Sequence, residues 1–89
     1  RTLYTVTKDD SALYVCDVAG RSVRQRLPLP AEGYTCLAAP NRPELYVSLW
    51  GGDQVLVYDT RTLALLGRIA TGSRPGDLAL SPNGRTLYV

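Results

Sequence analysis

One dipeptide recurs at a fixed interval along the chain. Leu3-Tyr4, Leu45-Tyr46 and Leu87-Tyr88 are separated by 42 residues each. Laying residues 1–47 over 43–89 without a gap also matches Val15, Asp17, Arg26, Pro40, Asn41 and Val47 with identical residues. Such a repeat constrains the fold more than any composition figure, because each unit is a supersecondary element that cannot bury its apolar face alone and must lean on a neighbour. The clearest copy is residues 44–60, ELYVSLWGGDQVLVYDT. Its two apolar runs, Leu45 to Trp50 and Val55 to Tyr58, have strand length and are rich in Val, Leu and Tyr. Gly51-Gly52-Asp53 separates them, so the stretch reads as a β-hairpin.

Taken in order, residues 1–7 form a strand, Lys8-Asp9-Asp10 a turn, and residues 11–17 the returning strand. Asp17-Val18-Ala19-Gly20 is a second turn, with Asp at its first position and Gly tolerating its last. Residues 21–29 alternate, placing Val23, Gln25, Leu27 and Leu29 on one face and Arg24, Arg26 and Pro28 on the other. Pro28 cannot donate to a ladder and the arginines discourage foreign pairing, which marks an edge strand. Residues 62–70, TLALLGRIA, carry Leu63, Leu66 and Ala70 at helical spacing, but they occupy the repeat position of that edge strand and are read as a strand. Short inner strands follow at 34–39 and 77–81, with small residues Ala38, Ala39 and Ala79. Ser81-Pro82-Asn83-Gly84 is a strong turn signal with Gly where φ is expected to be positive, whereas the matching Ala39-Pro40-Asn41-Arg42 lacks that Gly and must strain Arg42 or turn differently.

Four strands per 42-residue unit is the plan of a β-propeller blade. The expected fold is all-β: about two four-stranded antiparallel blades cut from a larger ring, of about seven blades. The chain divides into a blade part at 1–29, a full blade at 34–71 and the start of the next at 75–89. Val55-Leu56-Val57-Tyr58 is apolar on both faces, as a sheet between two others must be. Two blades leave two sheet faces wet, and ordering of ~1.5 kcal/mol per residue then outweighs burial of ~25 cal/mol per Å². The remaining blades, or further copies of the chain, are therefore expected partners. The chain begins at Arg1 and contains no Met, so a longer parent is expected.

Composition narrows the chemistry. The 89 residues are 45% hydrophobic and 20% charged, with a net charge of +2 that gives no reason to invoke nucleic acid or a membrane surface. No apolar run approaches the roughly 18 residues of a membrane-spanning helix, and no signal-peptide pattern is present. With no His, neither a Ser-His-Asp nor a Cys-His arrangement can be assembled, and no metal or cofactor is expected. Cys16 and Cys36 lie in strand-like runs and read as buried thiols, with a disulfide between them left open. Arg21, Arg24 and Arg26, with Tyr14 and Tyr34 as stacking partners, resemble a single-strand nucleic-acid binder in composition, but edge protection accounts for the same arginines.

The loops that join second to third strands, and outer strands to the next inner one, should share one face. Lys8, Asp9, Asp10, Glu32, Trp50, Asp53, Arg74 and Asp77 fall there. Trp50, Asp53, Arg74, Lys8 and Asp10 are the candidate ligand-binding residues, with no catalytic, cofactor-binding or metal-binding residue among them. Trp50 is the most telling, since a large aromatic beside Gly51-Gly52 has little sheet to cover it and exposed aromatics anchor partners. The competing reading is that Trp50 packs on the adjacent blade.

Leu45-Tyr46-Val47-Ser48, Val55-Leu56-Val57-Tyr58-Asp59-Thr60 and the run from Pro75-Gly76-Asp77 through Ser81-Pro82-Asn83-Gly84 to Leu87-Tyr88-Val89 together resemble the YVTN-type β-propeller repeat. The resemblance covers essentially the whole chain. It departs at Ser48-Leu49, where the family motif has Thr-Asn, and at Tyr4-Thr5-Val6-Thr7. It implies a non-catalytic scaffold for an unidentified small ligand or protein, exported to the periplasm or cell surface. The alternative it implies is a propeller enzyme, lactonase-like or a haem- or quinone-dependent oxidoreductase, with its catalytic residues in other blades.

Overall fold

The computed structural model describes Arg1–Val89. Nine strands form three antiparallel sheets. The first sheet has the order β1 (Thr2–Thr7), β2 (Ala12–Asp17), β3 (Ser22–Pro28). The second has the order β4 (Gly33–Ala38), β5 (Glu44–Leu49), β6 (Gln54–Asp59), β7 (Leu65–Ala70), and β8 (Ala79–Leu80) pairs with β9 (Leu87–Tyr88). Residues 65–70 are thus a strand rather than a helix, because the β6 edge captures their backbone whatever their intrinsic preference.

The repeat extends to the backbone. Thr2 pairs with Asp17 and Glu44 with Asp59; Ala12 pairs with Pro28 and Gln54 with Ala70. Both outer pairings break register at the same place, between Val15 and Cys16 in one copy and Val57 and Tyr58 in the other. Positive φ falls on Ser11 and Asp53, then on Arg21 and Leu63, again 42 residues apart. The loops close with matching bonds: the Leu29 N–H donates to the Ser11 carbonyl (2.7 Å) and the Thr71 N–H to the Asp53 carbonyl (3.0 Å).

These details refine three local readings, and the last decides between the two alternatives left for the 39–44 turn. The left-handed residue of the second turn is Arg21, not Gly20. A Cβ on Gly20 would meet Asp17 Oδ2 at 2.8 Å, so a larger residue there would require the Asp17 carboxylate to swing aside. The register shift leaves Arg24 unpaired, with Val23 opposite Cys16 and Gln25 opposite Val15. Val23 and Leu27 therefore lie on opposite faces, and the alternation read across 21–29 is interrupted by a bulge. Gly84 has φ +72 as its turn demands, but Arg42 is not left-handed. The 39–44 turn instead closes with the Glu44 N–H donating to the Arg42 carbonyl (2.8 Å).

The core lies between the first two sheets. Leu13 and Leu29 meet Leu45, Val47, Leu49, Leu56 and Tyr58, with Tyr4, Val6, Leu27, Ala31 and Cys36 against them. Each fully buried Leu or Val among them contributes on the order of 1.5–3 kcal/mol by leaving water. On the other face of the second sheet, fully buried Ser48 accepts the Thr35 N–H (3.2 Å) where β4 departs from ladder register, so its hydroxyl satisfies a donor the bulge would orphan. Both cysteines are free thiols and half-buried rather than fully enclosed. Burial pushes the Cys36 thiol up, which makes it inert. No helix is long and apolar enough to cross a membrane.

Candidate functional site

Two connections of each kind come together at one end of the sheets. Turn geometry places Lys8 and Trp50 at equivalent points of the β1–β2 and β5–β6 loops, while Glu32 and Arg74 occupy equivalent points of the β3–β4 and β7–β8 connections. Backbone bonds tie them: the Gly51 N–H donates to the Glu32 carbonyl (3.2 Å). A Cβ on Gly51 would lie 3.0 Å from Glu32 Oε1, and one on Gly52 3.1 Å from Ala31 Cβ. The two glycines therefore exist for this close packing, and the left-handed position of the turn is Asp53.

Trp50 is half-buried, and its ring is flanked by two cations. Lys8 Nζ lies 4.3 Å and the Arg74 guanidinium carbon 4.9 Å from the ring centroid, within cation–π range. Asp53 Oδ1 accepts the Arg74 backbone N–H at 3.0 Å, while the Asp53 carbonyl accepts that of Thr71. An open depression of about 440 Å³ results, lined by Trp50, Gly51, Asp53, Ser73 and Arg74. Arg74 has φ 54, which its equivalent Glu32 does not share. Non-glycine residues in that region are strained and cluster where loops do chemistry or bind.

Four of the five sequence-derived candidates, Lys8, Trp50, Asp53 and Arg74, thus share one site. Asp10 does not join them. It turns to the outer strand, where it accepts hydrogen bonds from Thr7 and from the Tyr14 hydroxyl (2.6 Å) and pairs with Arg26 at 3.7 Å. The Thr7 and Tyr14 bonds hold its carboxyl below the usual range. Asp9 and Asp77 are exposed, and Glu32 flanks the site from beside Gly51. Ser73 was not singled out from the sequence; its only signal is its place in the polar run Thr71-Gly72-Ser73-Arg74.

The arginine-rich edge does not form a stacking groove. The Arg26 guanidinium carbon lies 5.9 Å from the Tyr14 centroid, its Nε donates to the Tyr14 hydroxyl (3.3 Å), and Asp10 neutralises it. Tyr34 is elsewhere, against Gly76 between the second and third sheets.

The three-sheet arrangement, with one complete four-stranded antiparallel sheet between two partial ones, defines a portion of a β-propeller. Superposition on a chain of Kuenenia stuttgartiensis hydrazine synthase gives a TM-score of 0.91 at 23% identity, covering 98% of this chain and 25% of that one, and shows the propeller fold. In sequence, the chain is similar to uncharacterized protein YncE of Salmonella typhi and of Salmonella typhimurium, 34% identical over 89 residues in each case. It spans about 25% of the length of these relatives. No family model matches the chain.

Proposed function

We propose that these residues are part of a non-catalytic β-propeller of the YVTN-repeat type, a ring of about seven blades that binds a small ligand or a protein at its loop rim. The observation that carries this reading is Trp50: a half-exposed indole flanked by Lys8 and Arg74, beside a depression with backbone strain at Arg74. Large aromatics held rigidly at a rim are the usual anchors of binding surfaces. Location in the periplasm or at the cell surface belongs to the same proposal, supported by the repeat resemblance alone, and fractionation of the complete protein tests it.

The experiment that separates binding from packing is Trp50→Ala in the complete propeller. A rim anchor leaves the unfolding midpoint nearly unchanged, while fragments screened by NMR against the unsubstituted protein shift resonances around Trp50, Ser73 and Arg74. A loss of stability as large as that of a core leucine, without clustered shifts, assigns Trp50 to packing instead. The second reading, a propeller within an enzyme, draws on the likeness to a hydrazine synthase chain. It requires His or clustered carboxylates at ring-facing loops of the other blades, which this chain, lacking His, does not supply.

A further inference from the structure

We propose that the depression beside Trp50 binds a monoanionic, carboxylate-bearing ligand, seated against the Arg74 guanidinium and the Ser73 hydroxyl with the Trp50 ring as its platform. The inference rests on the reading of the loop rim as the binding face and adds the chemistry of what it takes.

The ion pairs of the chain are Arg26 with Asp10, Arg42 with Glu44 and Arg61 with Asp59. Lys8 and Arg74 have no carboxylate within pairing distance and are held by the indole instead. A guanidinium near a ring face keeps its fork of N–H donors available for a planar, two-oxygen acceptor. Ser73 lines the same depression, and its hydroxyl is a further donor available to a ligand there.

Charge placement points the same way. The lining carries Arg74 and Asp53, and outside it Lys8 on the ring and Glu32 beside Gly51 add one charge of each sign, so the local sum is zero. One carboxylate can pair with the unpartnered Arg74 side chain, while the Asp53 carboxylate repels a second negative charge and so disfavours a dianion. Asp53 is a positioning residue here, because its carboxylate oxygen and its carbonyl together fix the 71–74 backbone through the N–H groups of Arg74 and Thr71.

The two copies differ at these positions. The first copy has Lys8, Ser11, Ala31 and Glu32 where the second has Trp50, Asp53, Ser73 and Arg74. The backbone plan is shared, yet the aromatic platform, the donor hydroxyl and the guanidinium are found only in the second copy. Strand packing does not call for that difference, since all four positions lie in connections.

The test follows the Trp50 indole N–H resonance in the complete propeller, assigned by its loss in Trp50→Phe, during titration with benzoate, benzamide, benzylamine and inorganic phosphate. Benzoate is expected to bind at least about tenfold tighter than the isosteric neutral benzamide, as a charge-assisted pair implies. Arg74→Ala should remove that preference, and Arg74→Lys should keep part of it. Asp53→Asn, which retains the acceptor but not the charge, should strengthen benzoate binding a few-fold, whereas Asp53→Ala should weaken it. Benzamide or benzylamine shifting Trp50 as effectively as benzoate would overturn the ligand class and leave the rim standing as the binding face. Phosphate binding tighter than benzoate would overturn the carboxylate assignment. No response to any probe would overturn both.

Discussion

The first two sheets are built from the same plan, and the environments of their equivalent residues differ. Leu45 in β5 is 0% exposed, while Leu3, its counterpart in β1, is 54% exposed. Tyr58 is buried where Cys16, its counterpart, is half-buried at the edge of an apolar hollow formed with Leu3, Val18 and Val23. The β1–β2 and β5–β6 registers match, and the left-handed turn residues Ser11 and Arg21 recur as Asp53 and Leu63. What differs is the neighbour: β5 and β6 are covered by the first sheet, and the corresponding face of the first sheet is covered by nothing. Register and turns are thus encoded within each unit, whereas burial is conferred between units, as nearest-neighbour stacking of repeats requires. The outer strands obey a different rule. Val23 and Leu65 are exposed in both copies, because a propeller blade ends there whether or not it is sandwiched.

The largest effect that can break this comparison is a matched pair of truncations. In the complete propeller, Leu45→Ala should cost about 2–5 kcal/mol by urea unfolding. Leu3→Ala should cost a similar amount if another blade of the ring covers Leu3 there. A near-zero effect at Leu3 means that no sheet leans on the first blade.

A smaller effect sharpens the comparison at the two inner turns. Gly84→Ala should cost roughly 1–2 kcal/mol in the same assay, from its left-handed backbone and from a Cβ set 3.0 Å from Asn41 Oδ1. Alignment of the copies suggests that Arg42→Gly would restore a better turn, yet Arg42 is not left-handed. It donates to Glu44 Oε1 (2.8 Å) and to the Tyr46 hydroxyl (2.7 Å), so Arg42→Gly should destabilise as well.

The smallest effect concerns that cluster and pH. Hydrogen bonds from the Tyr46 hydroxyl and from Arg42 hold the Glu44 carboxyl below its ordinary value of 4.5. A depressed carboxyl contributes stability that is complete above its unfolded pKa and is lost as pH falls through the folded one. Glu44→Gln should therefore lower the midpoint slightly at neutral pH and flatten its decline below about pH 4.5. The pair is partly exposed, so the change should stay under about 1 kcal/mol. A steeper acid limb in the variant would contradict the assignment.

Most of the fold was legible because the repeat and the apolar spacing agree on it. Leu45, Val47, Val55 and Leu56 are each fully or nearly fully buried, as two-sided apolar strands demand. The bulge beside Val23 was not legible, since alternation in sequence carries no mark of an inserted residue. The left-handed turn positions were not legible either: Arg21 and Asp53 adopt that backbone although glycines stand beside them, while Gly51 and Gly52 sit close to Glu32 and Ala31. At the site, Lys8, Trp50, Asp53 and Arg74 could be gathered because loop order in a propeller fixes which connections meet. Asp10 could not be excluded from that group, because its capture by Thr7, Tyr14 and Arg26 depends on side-chain directions across β2 and β3.

The central claim, that each sheet is one copy of a 42-residue unit whose faces are closed by its neighbours, is tested most directly by thiol labelling of Cys16 in the complete protein, read by mass spectrometry. If a preceding blade covers Leu3 and Cys16, Cys16 should resist labelling under native conditions and react only on unfolding. Native labelling of Cys16 at the rate of a free, solvent-exposed thiol would contradict the account.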